Sequence, residues 1–150
     1  MVFNWNNEKN EELKRERRVS FEQIVLLIKN VNILDILEHS KKEKYQNQRL
    51  YVIDIDNYAY VAPFIDKKGE RFLKTIFPGR KYTNIYLRKK EKKMKFNLDK
   101  EEKEFLESIE RDEWESLSNL QEEIESSKKI ARATIVKDQR MNIRISKKDL

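Results

Sequence analysis

Arg49-Leu50-Tyr51-Val52-Ile53-Asp54-Ile55-Asp56-Asn57-Tyr58-Ala59-Tyr60-Val61-Ala62-Pro63-Phe64 decides the fold. Two runs of β-branched and aromatic residues flank Asp56-Asn57, a pair that tolerates the positive φ angles of a two-residue turn, so residues 49–55 and 58–64 read as a β-hairpin. A second turn at Asp66-Lys67-Lys68-Gly69 leads into a third strand over 71–77. Three antiparallel strands in a meander follow. Pro78-Gly79 ends the last of them, and residues 80–93 read as a helix carrying Ile85, Tyr86 and Lys89 on successive turns.

Upstream of the hairpin, Ser20 can cap a helix whose stripe is Phe21, Ile24, Val25, Leu27 and Ile28, ending near Asn30. Residues 33–37 read as a strand or as a continuation of that helix, with the strand favoured, and 41–48 as a polar loop. Residues 8–18 alternate in charge and suit a short surface helix. Downstream, Asp99 and Glu102 have capping-box spacing, with Phe105, Leu106 and Ile109 behind them. Residues 110–118 break the pattern around Trp114. Asn119 and Glu122 repeat the box ahead of a seam of Leu120, Ile124, Ser127, Ala131 and Ile135. Both stripes are too thin to form a core together and need the surface of residues 1–93. Residues 140–146 alternate apolar and polar as a strand would. The expected class is α+β: a small antiparallel sheet with packed helices, then a C-terminal helical tail ending in a short strand.

The chain changes character at Met94. Residues 1–93 hold 21 Lys+Arg against 13 Asp+Glu, net +8; residues 94–130 hold 6 against 12, net −6; the last twenty hold 6 against 2. A basic body, an acidic segment and a basic tip suggest a polyanion-binding surface and something that covers it. The pI of about 9.3 points the same way, to RNA, DNA or an acidic protein. With no Cys, thiolate chemistry, disulfides and Cys-ligated zinc are excluded. The polar N-terminus and the lack of any apolar run near ~20 residues predict no membrane contact and a cytoplasmic protein.

With Gly only at 69 and 79, no Gly-rich phosphate loop can form, and His39 is the sole histidine, so no His cluster exists for a metal. No cofactor is expected. His39 reads as a structural or exposed residue, and Asp54 and Asp56 as solvated turn residues. What remains is basic and aromatic: Lys9, Lys14, Arg15, Arg17 and Arg18 early in the chain, Lys74 on the third strand, and Arg80, Lys81, Tyr82 and Tyr86 after the Pro-Gly break. Arg80 and Lys81 stand at an expected helix start, where backbone N–H groups favour phosphate, and fixed cations there would stabilise charge building on a phosphodiester without a metal.

Phe3-Asn4-Trp5-Asn6-Asn7-Glu8-Lys9-Asn10, followed by Arg18-Val19-Ser20-Phe21-Glu22, resembles the N-terminal F-x-W-D-x-x-K-N … G-V-S-F-E pattern of BrnT-type toxins, ribonucleases with a RelE-like fold. The run from Arg71 to Phe77 with Pro78-Gly79-Arg80-Lys81 is similar to the family's last strand and its S-A-R-K/R-A turn. The resemblance covers residues 1–93 and implies metal-independent RNA cleavage. It implies catalytic roles for Arg80, Lys81, Lys74 and Lys9, and RNA contacts by Trp5, Arg15, Arg17, Arg18, Tyr82 and Tyr86. Glu16, Arg17 and Arg18 stand where the family commonly has Lys-His-Gly, so a histidine role is lost or moved to Arg17. Asn6 replaces an Asp, and Tyr82 a small residue.

Residues 94–150 resemble the partner antitoxins, with an acidic wrapping segment over 94–136 and the start of a ribbon-helix-helix domain over 137–150. The helices that should follow the ribbon are missing, so no working DNA-binding domain is expected, only a weak homodimer through 141–146 or a frayed end. The leading expectation is a ribonuclease domain masked by its own antitoxin-like segment, with RNA as partner once unmasked. The alternative, of a different class, is a non-catalytic toxin-like module that binds RNA or a cognate antitoxin.

Overall fold

In the computed structural model, which describes residues 1–41, 45, 47–88 and 96–137, the chain is α+β, with five helices and a mixed sheet that does not close. In chain order the elements are β1 (Val2–Trp5), α1 (Asn7–Arg17), α2 (Phe21–Lys29), β2 (Ile33–His39), β3 (Gln48–Ile55), β4 (Tyr58–Lys67), β5 (Glu70–Leu73), β6 (Phe77–Pro78), α3 (Arg80–Tyr86), α4 (Lys100–Glu110), β7 (Trp114–Ser116) and α5 (Leu120–Lys137). The sheet order is β1-β5-β4-β3-β2-β7, with β6 pairing to β4. It is not purely antiparallel as the sequence suggested, because β1 lies parallel to β5.

The expected hairpin is its centre. Asp56 and Asn57 take φ of 50° and 67°, as a two-residue turn with both central residues left-handed requires, and Lys68-Gly69 repeats the device at 49° and 78°. The two inner strands are covered on both faces, which explains their almost unbroken apolar sequence. Tyr51, Ile53, Tyr60, Ala62 and Phe64 face a core shared with Leu13, Phe21, Ile24, Val25 and Ile28. Leu50, Val52, Ala59 and Val61 face the other side with Phe77 and Tyr82.

The helix starts follow their caps. Asn6 accepts from the Lys9 N–H at 2.9 Å and Ser20 from the Gln23 N–H at 3.1 Å, each satisfying a free first-turn donor. The Asp99–Glu102 box is complete in both directions. Gly79 is required by close approach: a Cβ there would stand 2.9 Å from Val61 Cγ2, and its N–H donates to the Ala59 carbonyl at 2.8 Å.

The expected strand over 71–77 is two strands. Leu73 pairs with Phe64, but Phe77 pairs with Val61, so one extra residue is accommodated between them, a β-bulge. The bulge releases Thr75 and Ile76 from the ladder, and both reappear in the site below. The helix expected over 80–93 spans Arg80–Tyr86, with residues 89–93 outside the described part. The expected strand over 140–146, and with it the dimer expected there, also lies outside the described residues.

Residues 96–137 are built into this sheet. β7, which the sequence did not reveal, pairs antiparallel with β2 and extends the edge. On one face Ile124, Ile130 and Ala131 of α5 join the core of α1 and α2, with Leu120 and Ile135 partly buried against it. On the other, Phe105 and Ile109 of α4 pack with Trp114 against Leu37, Leu50 and Phe77. Among the described residues no helix is long and apolar enough to cross a membrane.

Candidate functional site

Helix α4 lies along a row of cations contributed by residues 1–88, and its own acids meet them one by one. At its N-terminal end the Arg17 guanidinium grips Glu102 with both prongs, Nη1 to Oε2 at 2.6 Å and Nη2 to Oε1 at 2.8 Å. Lys9 Nζ stands 3.4 Å from Asp99 Oδ2 and 3.9 Å from Glu102 Oε2. Lys74 Nζ donates to Glu101 Oε2 at 3.2 Å and sits over the Phe105 ring, 5.8 Å from its centre. At the C-terminal end Lys81 Nζ donates to the Ile109 carbonyl at 2.8 Å and pairs with Asp112. An 11-residue helix is about 16 Å long, so the cations are strung along a strip of that order.

Arg17 is 8% exposed, Thr75 2% and Glu102 1%. Besides Glu102, Arg17 donates to the Ile76 carbonyl at 2.8 Å and the Asn97 carbonyl at 2.9 Å. Thr75 Oγ1 donates to Glu102 Oε2, so the bulge supplies this site with both a hydroxyl and a carbonyl. Burial by itself would raise the Glu102 carboxyl, but the hydrogen bonds from Arg17, Thr75 and the Asp99 N–H outweigh it and hold the group below its ordinary value. An open groove of about 350 Å³ adjoins, with Glu16, Arg17, Phe96 and Asn97 in its lining.

Around α3 the polar groups are arranged differently. Asp35, buried on β2, accepts from the Ile36 N–H at 2.8 Å, from Ser116 Oγ at 2.6 Å and from the Tyr86 hydroxyl. Burial first and then the Asp35 hydrogen bond push the Tyr86 phenol far above its ordinary value. Burial and the carboxylates of Asp112, Asp35 and Glu110 do the same to Tyr82. Both phenols are therefore proton donors at neutral pH, unsuited to act as bases.

The structure gathers Lys9, Arg17, Lys74 and Lys81 under α4 and leaves Arg15, Arg18 and Arg80 exposed. Trp5 does not present a ring to RNA in this conformation: it is 3% exposed and stacks on Phe21 at 5.8 Å, because β1 turns it into the core. Tyr82 is likewise buried, its ring 5.9 Å from that of Tyr86. Arg17 reaches solvent only marginally, so its contact in the intact chain is with Glu102. His39 is buried and structural: Nδ1 lies 2.9 Å from the Lys41 nitrogen and 3.0 Å from the Lys41 carbonyl oxygen, and Nε2 lies 2.8 Å from Glu113 Oε1.

Thr75, Glu102, Asp112 and Asp35 are the site residues that sequence reasoning missed. Glu102 was visible only as a capping residue, and it serves as both: Oε1 accepts from the Asp99 N–H at 3.0 Å as well as from Arg17. Among the described residues no cluster of three His, Cys, Asp or Glu side chains could hold a metal ion. Compared with protein-family models, curated proteins and solved structures, the chain gives no match.

Proposed function

We propose that residues 1–93 form a metal-independent endoribonuclease domain of the BrnT, RelE-like type, and that the antitoxin-like segment 94–136 masks its RNA-binding strip. The observation that carries this reading is the pairing under α4. Four cations that the sequence singled out for RNA, Lys9, Arg17, Lys74 and Lys81, each meet a carboxylate of residues 99–112. An RNA backbone presents the same ligand, a row of anionic oxygens, and competes for the same cations. Tethering sets the mask's local concentration on the order of millimolar, so it holds against RNA in solution. Once it is displaced, the cations would stabilise the phosphorane formed when a ribose 2′-OH, giving its proton to water, attacks the adjacent 3′-phosphodiester; the P–O5′ bond then breaks, leaving a 2′,3′-cyclic phosphate and a 5′-oxygen that takes up a proton from water. Exposed Arg80 would act beside Lys81, and Arg15 and Arg18 would extend the contact with the RNA.

The test is made on the full chain. Glu101 and Asp112 are 52% and 82% exposed at the side chain, so Glu101→Lys with Asp112→Lys repels α4 from Lys74 and Lys81 without touching the core. This variant should bind single-stranded RNA more tightly than the parent and yield fragments ending in 2′,3′-cyclic phosphate. A folded variant that binds RNA without cutting it would replace the enzyme by a non-catalytic RNA-binding module. That second reading has one observation in its favour: β7 and α5 are part of the sheet and its core, as in a permanent assembly.

A further inference from the structure

We propose that Arg17, Thr75 and Lys9 form a built site for one phosphate group of an RNA backbone, and that the Glu102 carboxylate is its intramolecular occupant. The proposal rests on the RNA-binding reading above and adds to it the place where a phosphate is held.

Of the four hydrogen bonds Arg17 makes among the described residues, two go to Glu102 and one to the Asn97 carbonyl, all on the later segment. Of these four, the bond to the Ile76 carbonyl, 2.8 Å, is the one made within the described part of residues 1–93. In the intact chain, with residues 96–137 in place, this guanidinium is nine-tenths buried, and a charge so enclosed calls for an anion beside it. The Ile76 bond does not involve Glu102, so it can keep one prong of the guanidinium anchored when the carboxylate leaves.

The donors converge as a phosphate would need them. Oε2 of Glu102 receives Arg17 Nη1 at 2.6 Å and the Thr75 hydroxyl, with Lys9 Nζ 3.9 Å away. Oε1 receives Arg17 Nη2 at 2.8 Å. An Arg fork takes two oxygens of a carboxylate or of a phosphate with the same geometry. Thr75 reaches the site only because the bulge between Leu73 and Phe77 turns it out of the ladder. The groove of about 350 Å³ beside Arg17 gives the larger anion room and continues toward Phe96 and Asn97, on the segment that carries the mask.

The experiment uses the full chain with Glu102→Ala, Glu102→Gln and Glu102→Ala combined with Arg17→Met, each melted in sodium phosphate and in sodium chloride of equal ionic strength. The site in Glu102→Ala should take up inorganic phosphate and raise the melting temperature by roughly 3–6 °C at tenfold the dissociation constant. Neither the parent chain nor the double variant should show this preference over chloride, and the Arg17 Nε–H resonance should shift only in the single variant. If Glu102→Ala does not fold, Glu102→Gln, which keeps the volume and loses the charge, carries the same comparison. A single-stranded oligonucleotide of 2′-deoxy sugars, which cannot be cleaved, should displace the phosphate. Equal melting in the two salts overturns the site, and phosphate that no oligonucleotide displaces overturns its assignment to a nucleic-acid backbone. Phosphate uptake by Glu102→Ala without RNA cleavage by the Glu101→Lys, Asp112→Lys chain upholds the site and removes the ribonuclease reading.

Discussion

The Phe3 backbone N–H donates to Thr134 Oγ1 at 2.8 Å, joining the first strand to the last described helix across 131 residues of sequence. The bond is buried, and Thr134 Oγ1 in turn donates to the Ile130 carbonyl at 2.7 Å. One hydroxyl thus satisfies a donor of the edge strand and ties α5 to β1.

Thr134→Val keeps the shape and removes the acceptor. A buried N–H left without a partner costs ~1–3 kcal/mol. For a chain of this size that lowers the melting temperature by about 2–4 °C per kcal/mol. Thermal unfolding of the variant within 1 °C of the parent would show that water reaches the Phe3 N–H.

Ending the chain after Ser118 removes Ile124, Ser127, Ile130 and Ala131, all buried against the first core. Each of the two isoleucines contributes ~1.5–3 kcal/mol, a large share of the ~5–15 kcal/mol that separates folded from unfolded domains. The truncated chain should lose its cooperative transition and bind a hydrophobic dye. A sharp two-state melt would mean that α5 is an appendage.

Acid should weaken the fold through Glu102 and Glu113. Glu102 is held below its ordinary value of 4.5 by the Arg17, Thr75 and Asp99 N–H hydrogen bonds against the opposing effect of burial, and Glu113 is lowered to about 2 by Arg111 and His39. Carboxyls with depressed folded values contribute stability that is complete above the ordinary value and is lost as pH falls through the folded one. Denaturant midpoints should therefore fall from about pH 4.5 toward 2, and Glu102→Gln should flatten the slope in that window. An unaltered slope would show that Glu102 does not couple to folding.

Gly79→Ala places a methyl 2.9 Å from Cγ2 of the fully buried Val61, with the buried Tyr82 ring at 3.4 Å. Overpacking of this kind costs ~1–3 kcal/mol. The start of α3 must shift, carrying Arg80 and Lys81 with it. RNA affinity of the Glu101→Lys, Asp112→Lys chain should fall when Gly79→Ala is added. Unchanged affinity and unchanged melting would place the strip away from α3.

What the sequence determined by itself was local. The β3–β4 hairpin, the turn at Lys68-Gly69, the Ser20 cap and the Asp99–Glu102 box were all legible, because each depends on residues within four positions of one another. So were the stripes of α4 and α5 that need another surface, whereas the grouping of Lys9, Arg17, Lys74 and Lys81 under α4 was not. Tertiary structure alone decided the rest. β7 has three residues and no periodicity to read, and it is a strand only because the β2 edge offers it a partner. Trp5 is equally plausible in sequence as a ring for RNA or for the core, and packing on Phe21 settles it inward. The bulge that turns Thr75 toward Arg17 is a mismatch of one residue between two strands, invisible in either. Arg17 and Glu102 lie 85 residues apart, and their pairing exists only where α1, the bulge and α4 converge; charge in a sequence has no address until burial removes the water that would otherwise screen it.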